Sequence, residues 1–130
     1  MYKSPKEKIN DFLEILSDLC DESINLATRN IIIGDMNLNV ERKSKNVKKY
    51  LNVLDHHNLQ QCINLPTRVT KKSATIIDHI ITNVEHINWN INVESPTDHS
   101  MIEISMKQNR KKQIDDKRIK FTCWKNYSKE

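Results

Sequence analysis

The stretch Arg29-Asn30-Ile31-Ile32-Ile33-Gly34-Asp35-Met36-Asn37 decides the fold of this 130-residue chain. A short run of β-branched residues favours a strand over a helix, and its uniformly apolar character is typical of a strand buried on both faces. Gly34, the single glycine of the chain, ends the run. The sequence therefore predicts a buried strand that delivers the carboxylate of Asp35 and the amide of Asn37 to one turn, where functional residues often follow a strand.

Amphipathic helices are predicted on both sides of this strand. Ser4-Pro5-Lys6-Glu7 predicts a helix start with a capping box, and apolar residues recur at helical spacing over residues 5–20. The pair His56-His57 is expected near the end of a second helix, for which Asn46 is a candidate N-cap. The apolar residues of that helix have the same spacing: Val47, Tyr50, Leu51 and Leu54.

Beyond residue 58 the pattern changes to that of strands, which we expect over residues 59–63, 74–82, 87–93 and 100–106. This order of elements predicts an α/β fold with a mixed sheet and flanking helices. Two histidines, His79 and His86, are expected on strand surfaces. Trp89 is expected to be part of the core rather than a base-stacking residue.

The composition indicates one domain with a basic extension. The chain is 37% apolar and 29% charged, which suits a single domain with a lean core. The net charge of +4 is uneven, because residues 107–130 carry nine Lys and Arg against three Asp and Glu. We expect a domain body at 1–106 and a basic segment at 107–130, which favours nucleic acid or an acidic partner unless it is simply a solvated tail.

Some classes of protein are excluded by the cysteine and hydropathy patterns. The three cysteines are far apart, and the cysteines and five histidines do not fall at the paired spacings of structural zinc sites. No apolar run approaches the roughly 18 residues that span a bilayer. We therefore expect an intracellular protein, nuclear or cytoplasmic, with no membrane partner.

Two strand-associated acids are candidates for chemistry. A carboxylate such as Asp35 can hold or deprotonate water, while the amide of Asn37 can donate to a phosphate oxygen. The alternative is a simple turn in which Asp35 bonds its own backbone. Asp78 interrupts an apolar strand where an unpaired carboxylate is costly to bury, unless it bonds only to backbone or lies at a solvated strand end. Period-two alternation directs Asp78 and His79 to opposite faces, so they are not expected to be partners.

A third candidate segment, Ser95-Pro96-Thr97-Asp98-His99, is a loop that ends in an acid and an imidazole. The oxygens of Asp98 suit a hard cation, whereas His99 suits proton transfer or contact with a phosphate near neutral pH. Such pairs also occur by chance. The order and context of the three segments therefore matter more than any one of them.

Taken in order, Gly-Asp-Met-Asn at 34–37, Pro-Thr-Arg at 66–68, Ile-Asp-His-Ile at 77–80 and Thr-Asp-His at 97–99 resemble the endonuclease/exonuclease/phosphatase superfamily. They are most similar to the endonuclease domain of jockey-type non-LTR retrotransposons. Residues 121–127 are similar to the segment that leads toward the reverse transcriptase in those polyproteins. The resemblance implies the C-terminal half of a four-layer α/β sandwich that cleaves phosphodiester bonds in DNA with Mg²⁺ and water.

The resemblance also implies a role for each matching residue. Asp35 orients or deprotonates the attacking water, and Asn37 contacts the scissile phosphate. Asp78 holds the ring of His99, which stabilises the developing charge of the phosphate. Two further residues match the family. Asp98 would lie beside the metal, and Thr67 would be a phosphate or backbone contact.

The chain also departs from the family pattern. The family domain is about twice this length, and its first half supplies a sheet and the glutamate that is the principal metal ligand. We therefore expect an incomplete Mg²⁺ site, no cleavage by the chain alone, and an exposed apolar sheet face prone to self-association. Residues 107–130 would be a linker toward a missing reverse transcriptase. The alternative is a non-catalytic module, derived from that domain, which binds nucleic acid or protein.

Overall fold

The computed structural model describes residues 1–106, and the predicted basic linker at 107–130 lies outside the described residues. Within them, two helices and seven strands follow in this order: α1 (Ile9–Leu26), β1 (Ile31–Asp35), α2 (Lys45–His56), β2 (Gln60–Gln61), β3 (Arg68–Val69), β4 (Ala74–Thr75), β5 (Asp78–Thr82), β6 (Asn88–Asn92) and β7 (Met101–Ser105). This mixture of helices and strands agrees with the predicted α/β class. No helix among residues 1–106 is both long and apolar enough to cross a membrane.

The largest sheet has three strands in the order β1-β5-β2, each antiparallel to its neighbour. The register between β1 and β5 places Asp35 directly opposite Asp78. The prediction that β1 is buried on both faces is wrong, since Ile33 is 47% exposed. The reason is that Ile33 lines an open groove between α1 and β1, so its side chain is not covered.

Gly34 lies within β1 and does not end it. Its φ angle is not positive, so the glycine is explained by a close approach of backbone instead. Residues 1–3 run beside the end of β1, where the N–H of Lys3 donates to the carbonyl of Asp35 at 2.9 Å. A Cβ atom on Gly34 would overlap the backbone of Met1. Any other residue here would push residues 1–3 away from the strand.

Both helices begin away from their predicted positions. The predicted capping box is wrong, because α1 starts after Lys8 and the Ser4 hydroxyl accepts from the N–H of Lys6 (3.3 Å) in a preceding turn. The N-cap of α2 is Ser44 rather than Asn46, and its hydroxyl accepts from a backbone N–H of the first turn at 3.1 Å. A local hydrogen bond to a serine decides the geometry in each case.

The predicted strand over 74–82 divides into two strands. β4 pairs with β3 in a hairpin, whereas β5 pairs with β1 and β2. The sequence did not predict β3, because a pair of exposed residues shows no periodicity. The strands predicted over 87–93 and 100–106 are confirmed as the hairpin β6–β7, in which Trp89 lies opposite Ile104 and packs against buried residues.

Buried side chains form two clusters that share β5. The smaller cluster contains Ile80 and is covered by apolar residues of β6 and β7. The larger includes Ile81 and draws the rest of its buried members from both helices and the loops that follow β1 and α2: Phe12, Leu13, Leu16, Cys20, Met36, Tyr50, Leu54 and Leu59. Since consecutive residues of β5 enter different clusters, this strand is held on both faces.

His79 belongs to the interior, so its predicted place on a strand surface is wrong. Its Nδ1 lies 2.7 Å from the hydroxyl of Tyr50, and its Nε2 lies 3.3 Å from the carbonyl oxygen of Ile76. Burial disfavours the charged ring and lowers the pKa of His79 to about 4. His86, in contrast, is exposed in a turn between β5 and β6.

The end of α2 is tied to α1 by His57, which is near the helix end as predicted. The Nε2 atom of His57 lies 2.9 Å from the hydroxyl of Ser17, and its Nδ1 lies 3.4 Å from a carboxylate oxygen of Asp21. Ser17 and Asp21 are one turn apart on α1, so one ring contacts both. The contact positions the two helices against each other.

The buried ring of His79 predicts a loss of stability in acid. Its pKa is about 4 in the folded chain against an ordinary value of 6.5, so the unfolded state binds the proton more readily. The neutral His79 ring therefore contributes fully to the free energy of unfolding above pH 6.5, and this contribution is lost as the pH falls toward 4. The full difference is about 3 kcal/mol of unfolding free energy. Urea unfolding across this pH range measures it.

One histidine substitution tests this prediction, and a second serves as its control. His79→Gln should remove about 3 kcal/mol of the acid dependence, whereas His86→Gln, at an exposed turn position, should leave it unchanged. Equal acid dependence in wild type and His79→Gln would contradict the assignment of a neutral buried ring.

Candidate functional site

The site begins with two acids that face each other across the central sheet. Asp35 is the last residue of β1 and Asp78 the first of β5, and the register makes them direct partners. Both side chains are half-buried. Like charges directly opposite on neighbouring strands are destabilising. This arrangement therefore calls for a positively charged or proton-donating group between or beside the two carboxylates.

His99 supplies such a group. Its Nδ1 lies 3.0 Å and 3.2 Å from the two carboxylate oxygens of Asp78, so the contact expected from the family resemblance is present. The loop that carries His99 is held against β3 by backbone hydrogen bonds, one of which runs from the N–H of Ser100 to the carbonyl of Thr67 at 2.7 Å. The side chain of His99 is 36% exposed, so its ring is accessible to a ligand.

Asp35, Asp78 and His99 together could hold a metal ion. One ligand atom from each residue lies within 4.8 Å of the other two. The three residues come from β1, β5 and the loop before β7, and the fold brings them together although they are far apart in sequence. The sequence predicted all three as catalytic residues, and it placed the metal at Asp98 instead.

Asp98 lies outside this cluster. Its carboxylate accepts a hydrogen bond from Nε of Arg68 at 2.6 Å, and this bond holds the pKa of the Asp98 carboxyl below its usual range. Both side chains are more than 40% exposed. The structure thus places Asp98 against a guanidinium group, whereas the residues that could hold a metal ion are Asp35, Asp78 and His99.

Asn37 lies next to the cluster without joining it. Its backbone has a φ of 45°, a left-handed conformation that asparagine tolerates better than most residues. Its N–H donates to a carboxylate oxygen of Asp35 at 2.9 Å, and its side-chain amide donates to the carbonyl of Lys3 at 2.8 Å. The simple turn considered as an alternative for Asp35 is thus present, and Asp35 belongs to the cluster as well.

Thr67, which was predicted as a phosphate or backbone contact, is fully buried. Its hydroxyl oxygen accepts from the N–H of Ile77 at 3.1 Å and from the N–H of Asp78 at 2.9 Å. These bonds fix the backbone at the start of β5. Thr67 therefore positions Asp78 and is not available to a phosphate.

Two residues of this region were not singled out by the sequence. Arg68 lies within the Pro-Thr-Arg motif, yet no role was assigned to it. Lys3 is 5% exposed, and its Nζ donates to the carbonyls of Ser4 (2.9 Å) and Glu7 (3.2 Å). A lysine near an apparent helix start gave no signal of such burial. Its role is to hold the segment that lies beside Asp35 and Asn37.

No family model matches the chain, and no curated protein is significantly similar to it. Two features of the chain therefore bear on its function: the geometry of Asp35, Asp78 and His99, and the order of the four motifs.

The role of Thr67 predicts different effects for two substitutions. Thr67→Val leaves two backbone N–H groups without their acceptor, and we expect it to lower the free energy of unfolding by about 2 kcal/mol or more. Thr67→Ser keeps the acceptor and loses only a methyl group, at about 1 kcal/mol. Urea unfolding compares the two. A valine variant as stable as the serine variant would show that the hydroxyl does not hold β5.

Proposed function

We propose that this chain supplies Asp35, Asp78 and His99 to the site of a Mg²⁺-dependent phosphodiester hydrolase that acts on DNA. The single observation that carries the proposal is the gathering of these side chains within 4.8 Å, with His99 bonded to Asp78. The order of the motifs around them resembles the endonucleases of jockey-type retrotransposons. By the same resemblance, the described elements belong to the C-terminal half of a four-layer sandwich.

In this proposal Asp78 positions His99. A carboxylate that accepts from Nδ1–H of an imidazole fixes the orientation of the ring. The other ring nitrogen, Nε2, is then directed to the ligand. His99 then contacts a phosphate oxygen on which negative charge develops during attack by water.

Asp35 is the proposed acceptor for the attacking water. Its carboxylate lies in the cluster at the end of β1 and is half-buried, so it can orient a water molecule or take its proton. Asn37 follows two residues later. Its amide, which donates to the carbonyl of Lys3, would exchange this acceptor for an oxygen of the scissile phosphate.

Two members of the cluster, Asp35 and Asp78, are donors of the kind that binds Mg²⁺. Mg²⁺ prefers oxygen ligands in octahedral geometry, in which opposite ligands are about 4 Å apart. Asp35 and Asp78 offer carboxylate oxygens, and the cluster spans no more than 4.8 Å. A bound Mg²⁺ would neutralise charge on the phosphate and on the two acids. The remaining positions of an octahedron would be taken by water or by groups from elsewhere.

An exposed apolar surface beside β1 supports the further proposal that this side of the sheet packs against another protein layer or a second copy. Tyr2, Ile15 and Ile33 are 65%, 55% and 47% exposed. They line one groove between α1 and β1. Apolar residues grouped in this way are typical of interaction surfaces.

The metal site is tested by NMR titration of the chain with Mg²⁺, followed by the dinucleotide thymidylyl-thymidine as a single phosphodiester. We expect Mg²⁺ to shift the side-chain signals of Asp35, Asp78 and His99. Asp35→Asn should weaken Mg²⁺ binding at least tenfold, which corresponds to about 1.4 kcal/mol. The matched control is Asp55→Asn, since Asp55 is an exposed acid on α2.

Two results would contradict the proposal. The first is the absence of any Mg²⁺ shift at these three residues. The second is dinucleotide binding that is unchanged in His99→Gln and in Asp35→Asn. Dinucleotide binding that needs neither Mg²⁺ nor these two side chains would support the alternative of a non-catalytic nucleic-acid module.

Cleavage is tested separately with supercoiled plasmid DNA and Mg²⁺. Two carboxylates leave an octahedral ion coordinated largely by water, so we expect nicking by this chain to be slow or absent. Any nicking that occurs should be lost in His99→Gln and retained in Asp55→Asn. Robust nicking that persists in both His99→Gln and Asp35→Asn would rule out these residues as the catalytic set.

A further inference from the structure

We infer that Arg68, held in place by Asp98, forms the phosphate-binding subsite next to His99. The inference rests on the proposed function, because it names the group that binds the phosphodiester at the same site. It gives Arg68 and Asp98 roles that neither the resemblance nor the metal-ligating cluster assigns to them.

The backbone brings Arg68 to the side of His99. The two residues form an antiparallel bridge. On either side of it, the N–H of Val69 donates to the carbonyl of Asp98 at 2.9 Å, and the N–H of Ser100 donates to the carbonyl of Thr67 at 2.7 Å. Arg68 and His99 are therefore a non-hydrogen-bonded pair, the kind with the closest side chains, about 4.5 Å between Cα atoms.

Residues directly opposite in such a pair project from the same face. The side chain of His99 extends to Asp78 on that face, so the side chain of Arg68 starts beside the metal-ligating cluster. Thr67, the preceding residue, points the other way and is buried. Period-two alternation thus separates a structural residue from a residue that is open to a ligand.

The guanidinium of Arg68 is anchored at one edge only. Nε donates to Asp98 at 2.6 Å. Among residues 1–106 the other N–H groups of the planar guanidinium have no acceptor, and they can bind a second oxyanion in bidentate geometry. The side chain is 44% exposed, so a phosphate can reach it. Anchoring also reduces the rotamer entropy that a free arginine loses when it binds.

The charges around the cluster also favour a phosphate-binding role for Arg68. A phosphodiester that approaches Asp35 and Asp78 is repelled by two carboxylates unless positive charge lies on its own side. A metal ion between the acids meets part of this need, and Arg68 beside His99 adds a permanent positive charge. In this arrangement Asp98 acts on Arg68 and not on the metal, so it is a positioning residue.

The experiment measures thymidylyl-thymidine affinity at saturating Mg²⁺ by NMR in four single variants. Arg68→Gln should weaken binding at least tenfold, and Arg68→Lys should weaken it less, because lysine keeps the charge without the bidentate geometry. Mg²⁺ affinity should be unchanged in both. Lys71→Gln is the matched control, since Lys71 is an exposed cation in the turn between β3 and β4.

Asp98→Asn distinguishes positioning from simple charge. Removal of a carboxylate near a phosphate should tighten binding if only charge mattered. Replacement of the charged anchor by the weaker, neutral acceptor of asparagine should instead weaken binding severalfold. In the Arg68→Gln background, Asp98→Asn should then have no further effect. This non-additivity is a result that a merely structural role of Asp98 would not produce.

Three outcomes overturn the inference. They are unchanged affinity in Arg68→Gln, tighter binding in Asp98→Asn, and loss of Mg²⁺ affinity in Asp98→Asn, which would return Asp98 to the metal. If dinucleotide binding requires His99 and Asp35 but not Arg68, only this inference fails. If the dinucleotide does not bind to the Mg²⁺-loaded wild-type chain, the proposed function fails with it.

Discussion

The structure depends on the antiparallel pairing of β1 with β5, which sets Asp35 opposite Asp78. Every other part of the site is arranged around this pair. The loop before β7 adds the imidazole of His99 to one of the acids, and β3 holds that loop by backbone hydrogen bonds. The pairing itself is maintained by apolar contacts on both faces of β5, through Ile80 on one side and Ile81 on the other. Two carboxylates can face each other here because the surrounding core does not allow the strands to separate.

Much of this arrangement follows from local sequence patterns. The β-branched run before Gly34 predicts a strand, the spacing after it predicts α2, and the late alternating segments predict the β6–β7 hairpin. The three residues of the cluster were predicted from acids and imidazoles that interrupt apolar strands or end a proline-containing loop. Such residues are costly to place in a strand without a partner. Their presence is therefore informative even though the partner is distant in sequence.

The remaining features depend on contacts that no local pattern records. His79 is polar and was expected at the surface, but Tyr50 supplies a hydrogen-bond partner inside the core. Asp98 suits a cation, and sequence alone does not say whether that cation is a metal or Arg68. Thr67 was expected at the substrate, whereas two backbone N–H groups at the start of β5 use its hydroxyl. In each case a partner distant in sequence decides what the side chain contacts.

The hydrogen bonds that hold the start of β5 also limit how far Asp78 can move. Thr67 fixes the backbone of Asp78, and the neighbouring residue, His79, is anchored in the core by Tyr50. Asp78 therefore cannot retreat from Asp35 to relieve their mutual repulsion. The packing of the interior instead holds the two carboxylates opposite each other. Under the proposed function, a cation bound between them would owe part of its binding free energy to residues that never touch it.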